Sequence, residues 1–249
     1  MIKLNRTPKP SQLTDQLVTT LVNKFKLDGS NVWNTPFIKK ALLDLSKKKC
    51  CYCECNINEE SKYMEVEHFL PKKDYPDLVV DWNNLLPSCK RCNTNKGSHD
   101  PNNEYIINPC KDDPKTHIAM KNYRLKAKDP VGQNTIDVLY LNETERVVQP
   151  RFLIGNETQD SIEKITDKLK DYHQGVNTTT RRKNMIVNGL KSLLRQGLPQ
   201  KDYAATVATI ILNDENFSYC KDIFIELDFW DAELNELESL LSKNCLDLV

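Results

Sequence analysis

The stretch that decides the reading begins Cys50-Cys51-Tyr52-Cys53, passes through Val66-Glu67-His68-Phe69-Leu70-Pro71, and ends Ser88-Cys89-Lys90-Arg91-Cys92-Asn93-Thr94-Asn95-Lys96. Cys50 and Cys53 form a Cys-x2-Cys pair, and so do Cys89 and Cys92. Each pair can make a tight knuckle that presents two thiolates to one ion. Two knuckles complete the closed tetrahedral set that a structural zinc prefers. Cys51 and Cys55 blur the choice within the first knuckle; Cys50 and Cys53 are preferred because only they repeat the spacing of the second pair. The competing reading is buried thiols or disulfides. Disulfides are disfavoured because the N-terminus lacks the apolar core of a secretion signal. Cys51, Cys55, Cys110, Cys220 and Cys245 are left as ordinary small side chains with no assigned role.

The residues between the knuckles carry the information. Met64 to Leu70 is short, β-branched and aromatic in places, and is stopped by Pro71, so it reads as a strand whose last residues are Glu67-His68. Leu85-Leu86 supply a short returning strand. Lys90 to Lys96 start a helix on the second knuckle, with Asn93 in its first turn. A strand, a strand and a helix bring Glu67, His68 and Asn93 to one place. Singly, each has a bland reading: a Glu-His pair on a strand is a solvated pair or a histidine satisfied by its neighbours, Asn93 is a helix cap, and Lys90, Arg91 and Lys96 are a solvated face. Their order, bracketed by two knuckles, points to a site.

At these residues the chain resembles the zinc-bearing branch of the HNH endonucleases, with their ββα-metal core. The resemblance makes Glu67 and Asn93 ligands of a catalytic metal, His68 the general base, Asn84 the brace of the loop behind the histidine, and Cys50, Cys53, Cys89 and Cys92 the structural zinc ligands. Glu67 stands where Asp or His is commoner, and it still offers a hard oxygen. The residue types suit phosphodiester hydrolysis. A histidine near neutral pKa accepts a water's proton. An ion held by a carboxylate and an amide keeps open positions for phosphate. Oxygen ligands suit magnesium or manganese. Lys96 and Arg91 are expected to touch phosphate, since affinity for nucleic acid rests mainly on such contacts. A zinc module that binds nucleic acid without cutting it, or a purely structural subunit, is the alternative; neither needs the Glu67-His68 pair.

The rest of the chain bounds this reading. A formal net charge of zero excludes a basic protein that coats nucleic acid non-specifically, so any basic surface is local or supplied by a partner. No stretch is apolar enough to span a membrane, and a reduced cytoplasm fits nine cysteines. Met1–Pro10 is polar and extended. Leu13, Leu17 and Leu21 predict a helix from Ser11 to about Phe25. Thr35-Pro36 starts a second helix that runs into Lys47-Lys48-Lys49, a solvated helix end. His117–Met120 and Asn122–Leu125 pair as a small hairpin. From about Gly132 the pattern is helical, and the tail from Phe217 to Leu241 reads as an acidic, aromatic-bearing helix. The expected fold class is α+β, predominantly α: a helical lead (1–48), an HNH core with its structural zinc (49–130) and a helical C-terminal region (131–249).

Lys49-Cys50-Cys51-Tyr52-Cys53-Glu54, Val66 to Lys72, and Ile107-Asn108-Pro109-Cys110-Lys111-Asp112-Asp113-Pro114 with Asn134-Thr135-Ile136 and Leu141-Asn142 carry a narrower resemblance, over roughly residues 1–155. They look like the PtuB family, the HNH nucleases of Septu anti-phage systems and of some retron systems. That resemblance implies a nucleic-acid substrate, a PtuA-type ATPase as partner and, in some systems, a reverse transcriptase.

Overall fold

Two threonines open the first two helices. In a computed structural model that describes residues 1–59 and 62–249, Thr14 caps α1 (Asp15–Asp28) and Thr35 caps α2 (Pro36–Leu45). Each hydroxyl accepts from a backbone N–H of the first turn, one of the donors a helix start otherwise leaves unpaired. Pro36 sits in the first turn of α2, where its missing N–H costs nothing. Helix α1 starts later than Ser11 because Thr14 provides the cap, and it continues to Asp28, where Gly29 closes it at φ 69°. The expected solvated end after α2 is corrected at one residue. Lys47 and Lys48 are exposed, but Lys49 is buried with its ammonium 3.4 Å from Glu54. The polar lead also hides apolar anchors: Met1, Ile2 and Leu4 are buried.

The sheet follows as β1 (Asn58–Glu59), β2 (Lys62–His68) and β3 (Leu85–Cys89), antiparallel and in that spatial order. Glu67 faces Leu86 across the β2–β3 ladder, and His68 faces Leu85. Side chains alternate along a strand. Val66 therefore joins Leu85, Ile38, Leu42 and Leu45 in one apolar core, while Glu65 and Glu67 turn to the opposite face. Helix α3 (Lys90–Lys96) packs on β2 and β3. The two strands and α3 are the expected ββα unit.

The chain continues through α4 (Pro114–His117) and a hairpin, β4 (Ile118–Lys121) and β5 (Arg124–Ala127). Asn122 and Tyr123 both take positive φ, 48° and 62°, as a two-residue hairpin turn with right-handed strand twist demands. Helix α5 (Pro130–Val138) follows, capped by Asp129. The remainder is α6 (Gln149–His173), entered through a π turn at Thr144–Val148, then α7 (Thr180–Gln196), α8 (Ala204–Leu212), α9 (Glu215–Glu226) and α10 (Ala232–Asn244). Ile162, Leu169, Leu190, Leu194, Phe224 and Leu241 are among the buried residues of its core. The expected single helix over Phe217–Leu241 is two helices, because Asp228 takes φ 56° and Asp231 caps a fresh start.

The chain forms two compact units, Met1–Ile118 with Lys126–Leu141 and Ala119–Leu125 with Asn142–Val249. The expected lead and most of the expected core fall in the first, together with α5. No helix among the described residues is long and apolar enough to cross a membrane.

Gly132, in the first turn of α5, makes the tightest approach of any glycine in the first unit. A Cβ there would lie 2.0 Å from the carbonyl oxygen of His117, which is backbone and has no rotamer to move. Gly132→Ala is expected to destabilise the protein by about 1–3 kcal/mol, as overpacking of a closed site does. Urea unfolding checks this; an unchanged midpoint would show that the approach is looser than it looks.

Candidate active site

The site begins with the cysteines. The Sγ atoms of Cys50, Cys53, Cys89 and Cys92 lie within 4.8 Å of one another, and those of Cys53 and Cys89 are 3.8 Å apart. Four thiolates at about 2.3 Å from a tetrahedral zinc stand about 3.8 Å apart. The cluster can therefore hold a zinc ion with little adjustment. The donor set, four thiolates without an oxygen, is that of a closed structural site. Cys55 stays outside the quartet, although its Sγ lies 3.5 Å from that of Cys53. The first knuckle closes on itself: Cys50 N–H donates to Cys55 O at 2.9 Å, Glu54 N–H donates to Cys50 O at 3.1 Å, and Glu54 takes φ 65°. The second knuckle is also a helix start. Cys89 is the N-cap of α3, its sulfur accepting from Cys92 N–H at 3.4 Å. Cys51 N–H donates to Pro87 O at 2.9 Å, which ties the first knuckle to β3.

The knuckles fix α3 over the face of β2 that carries Glu65 and Glu67. Glu67, His68 and Asn93 line one cavity of about 280 Å³, together with Pro71, Lys72, Lys73, Gly97 and Ser98. Glu67 and His68 are neighbours on a strand and project to opposite faces, and the cavity reaches both because β2 ends at His68.

Glu67 is 2% exposed. Burial pushes its carboxyl up to about 7, against the pull of Lys96. Lys96 Nζ lies 2.8 Å from Glu67 Oε1, yet off the hydrogen-bond direction, so that buried oxygen is compensated in charge and still has no aligned donor. Asn93 Nδ2 donates to Glu65 Oε2 at 3.2 Å, which leaves its amide oxygen free. An undonated carboxylate oxygen and a free amide oxygen beside a cavity fit a hard divalent cation.

His68 is held by the loop between β2 and β3. Its Nε2 lies 2.9 Å from Val79 O. A carbonyl oxygen only accepts, so Nε2 carries the proton and Nδ1 keeps the lone pair. Burial lowers the imidazole to about 4, which keeps it neutral. The Trp33 ring and the imidazole meet in a T-shaped contact, centroids 4.8 Å apart. Asn84 spans the loop: its Oδ1 accepts from Leu70 N–H at 2.7 Å, and its Nδ2 donates to Leu70 O at 3.0 Å and Leu78 O at 3.2 Å. It grips the chain at Leu70 and at Leu78, the residue directly before Val79.

Two expectations are corrected. Lys96 is buried, donating to His68 O at 2.9 Å beside its Glu67 ion pair, so it has no free face for phosphate. Arg91 donates to Tyr140 O at 3.0 Å, Leu139 O at 3.4 Å and Cys92 Sγ at 3.2 Å. It closes the end of α5 and sets a positive charge beside the thiolates. The basic residues that do line the cavity are Lys72 and Lys73, which directly follow Pro71 and could have been picked out by that position alone. Val79 and Trp33 carried no signal, because a backbone carbonyl and an aromatic 35 residues upstream of His68 are joined to the site only by folding.

The HNH endonuclease family matches residues 50–99. The Septu protein PtuB of Bacillus thuringiensis is 48% identical over 246 residues, covering 99% of this chain and 95% of the relative. The chain belongs to the PtuB family. A second PtuB, from Bacillus mycoides strain KBAB4, is 30% identical over 271 residues, covering 89% of this chain and 85% of the relative. No solved structure matches. The PtuB likeness extends through α6–α10, well past the HNH match and past the stretch over which the sequence motifs carried it.

The buried ion pair makes a sharp prediction. Lys96→Ala leaves Glu67 buried with its compensating charge gone, and is expected to destabilise the protein by about 3–5 kcal/mol. A solvated phosphate-binding lysine would instead change stability by no more than about 0.5 kcal/mol. Denaturant unfolding of the two proteins distinguishes the cases.

Proposed function

We propose that the chain is a metal-dependent HNH endonuclease that hydrolyses phosphodiester bonds of nucleic acid, acting as the nuclease of a Septu-type anti-phage system. The observation that carries this reading is the lining of one cavity by Glu67, His68 and Asn93, with His68 turned by Val79 O so that Nδ1 is its only basic nitrogen. In this reading Glu67 and Asn93 hold magnesium or manganese, which when bound supplies Lewis-acid stabilisation of the phosphate and the leaving oxygen. His68 Nδ1 accepts the proton of the attacking water. Val79 O keeps the ring in the tautomer that can do so, and Asn84 keeps the Val79 segment in place. Lys73, exposed at the cavity, supplies positive charge toward the substrate backbone. The cysteine cluster, filled by zinc, takes no part in the chemistry and sets the position of Asn93.

Family membership supports a PtuA-type ATPase as partner in the cytoplasm. Both relatives carry the Septu name, so the partner proposed is the Septu ATPase. A neutral net charge suits a nuclease whose targeting is delegated to a partner. Co-purification with the ATPase tests that part.

The activity itself is tested on DNA and RNA with chelator and metal add-back. Cleavage should vanish with the chelator and return with magnesium or manganese. His68→Ala should lower cleavage at least about 100-fold, the scale of a lost general base, with zinc content and circular dichroism unchanged. Cleavage at the original rate would remove His68 from the base role. Binding without cleavage under any metal would favour a non-catalytic zinc module.

A further inference from the structure

A second cavity, about 350 Å³, lies against the first unit's β2 and is lined by Asn31, Trp33, Asn34, Lys39, Glu65 and Lys72. It shares Lys72 with the cavity that holds Glu67, His68 and Asn93. Glu65 joins the two as well, since its carboxylate accepts from Asn93. Trp33 stands between them, in a T-shaped contact with His68 and with one face under the Lys72 ammonium at 4.8 Å. The proposed hydrolysis gives none of these residues a part in metal binding or proton transfer. Together they offer an aromatic face, two amides and two ammonium groups within one nucleotide's reach of the proposed scissile phosphate.

We propose that this cavity is a subsite for the nucleotide that flanks the scissile phosphate, and that it takes that nucleotide unstacked, so the substrate is single-stranded or locally splayed. The inference rests on the nuclease reading for the position of the phosphate. A base takes the face of Trp33 now covered by Lys72, and the ammonium moves onto the adjoining phosphate. A cation on an exposed ring is worth about 0.5–1 kcal/mol, whereas base stacking on an aromatic is worth about 1–3 kcal/mol, so the exchange runs toward bound nucleotide. Asn31 and Asn34 offer amide donors and acceptors to the base edge, and Lys39 adds a second backbone charge. Glu65 keeps its negative charge in the cavity, and the Lys39 and Lys72 ammonium groups outnumber it. A base inside a duplex is stacked on both sides and cannot reach the ring without leaving the helix.

The test is a binding measurement, which keeps it separate from cleavage. Fluorescence anisotropy is read for the zinc-loaded full chain with a labelled 12-nucleotide DNA or RNA, single-stranded and as a duplex, without added magnesium or manganese. The single strand should bind at least tenfold more tightly than the duplex. Trp33→Leu should weaken the single strand by about 5- to 100-fold and the duplex little. Trp33→Phe, which keeps an aromatic face, should retain most of the affinity. Asn34→Ala, at an exposed position, should weaken the single strand about threefold and guards against a misfolded Trp33→Leu. Equal binding of strand and duplex, or variants that match the unaltered protein, overturns the subsite. Failure of the nuclease reading would show instead as no cleavage of any substrate with metal present.

Discussion

The structure depends on a sulfur atom that performs two tasks. Cys89 caps α3, accepting from Cys92 N–H, and it is one corner of the four-thiolate cluster. The helix that carries Asn93 and Lys96 therefore starts where the cluster closes. Seven residues make two turns, too short to be stable alone, because helix nucleation costs more than so few hydrogen bonds return. Its direction comes from its fixed beginning and from packing on β2 and β3. The opposite knuckle is fixed to β3 through Cys51 N–H and Pro87 O. A zinc ion bound by the two knuckles would join strand and helix at a single point and would set both sides of the cavity.

A buried charge completes the assembly. Glu67 loses hydration on the inner face of β2, and Lys96 on α3 gives back part of what is lost. The pair is misaligned as a hydrogen bond, so the carboxylate is neutralised without being saturated. A saturated carboxylate would be a poor ligand, and an unpaired one would stay protonated in so dry a place. The proposed reaction needs the state between these. His68 is prepared in the same way: a carbonyl fixes its tautomer, a T-shaped contact with Trp33 limits its rotation, and the loop that supplies the carbonyl is clamped by Asn84. Neither group depends on a flexible surface side chain, which accounts for the burial of residues a sequence reader would place in solvent.

Much of this was legible in the chain because the chemistry is local. Two Cys-x2-Cys pairs, a Glu-His at a strand end and an Asn one residue past the second knuckle are short-range patterns, and so are the Thr14 and Thr35 caps. What was not legible was burial. Lys96 and Arg91 look like phosphate ligands because they are basic and near the site, but each is used inside the protein, one against Glu67 and the other against the last carbonyls beyond α5. Composition cannot separate a lysine that faces solvent from one that faces a buried carboxylate 29 residues earlier in the sequence. Trp33 and Val79 reach the site through tertiary packing and have no spacing to betray them. The break at Asp228 escaped for another reason: apolar residues recur at helical intervals on both sides of it, so periodicity runs through the turn. Family membership adds what local pattern lacked, since the PtuB likeness covers α6–α10, where no motif stands out.

The central claim is that the thiolate cluster, filled by zinc, holds α3 against the β2–β3 pair and so sets the cavity. Amide hydrogen exchange of the zinc-loaded and zinc-stripped protein tests it most directly. Stripping zinc should remove protection from residues 85–96 and from the end of β2 at 64–68, while the amides of α6 to α10 exchange as before. Unchanged protection of α3 and the β2–β3 ladder without zinc would contradict it, because the site would then be held by packing alone.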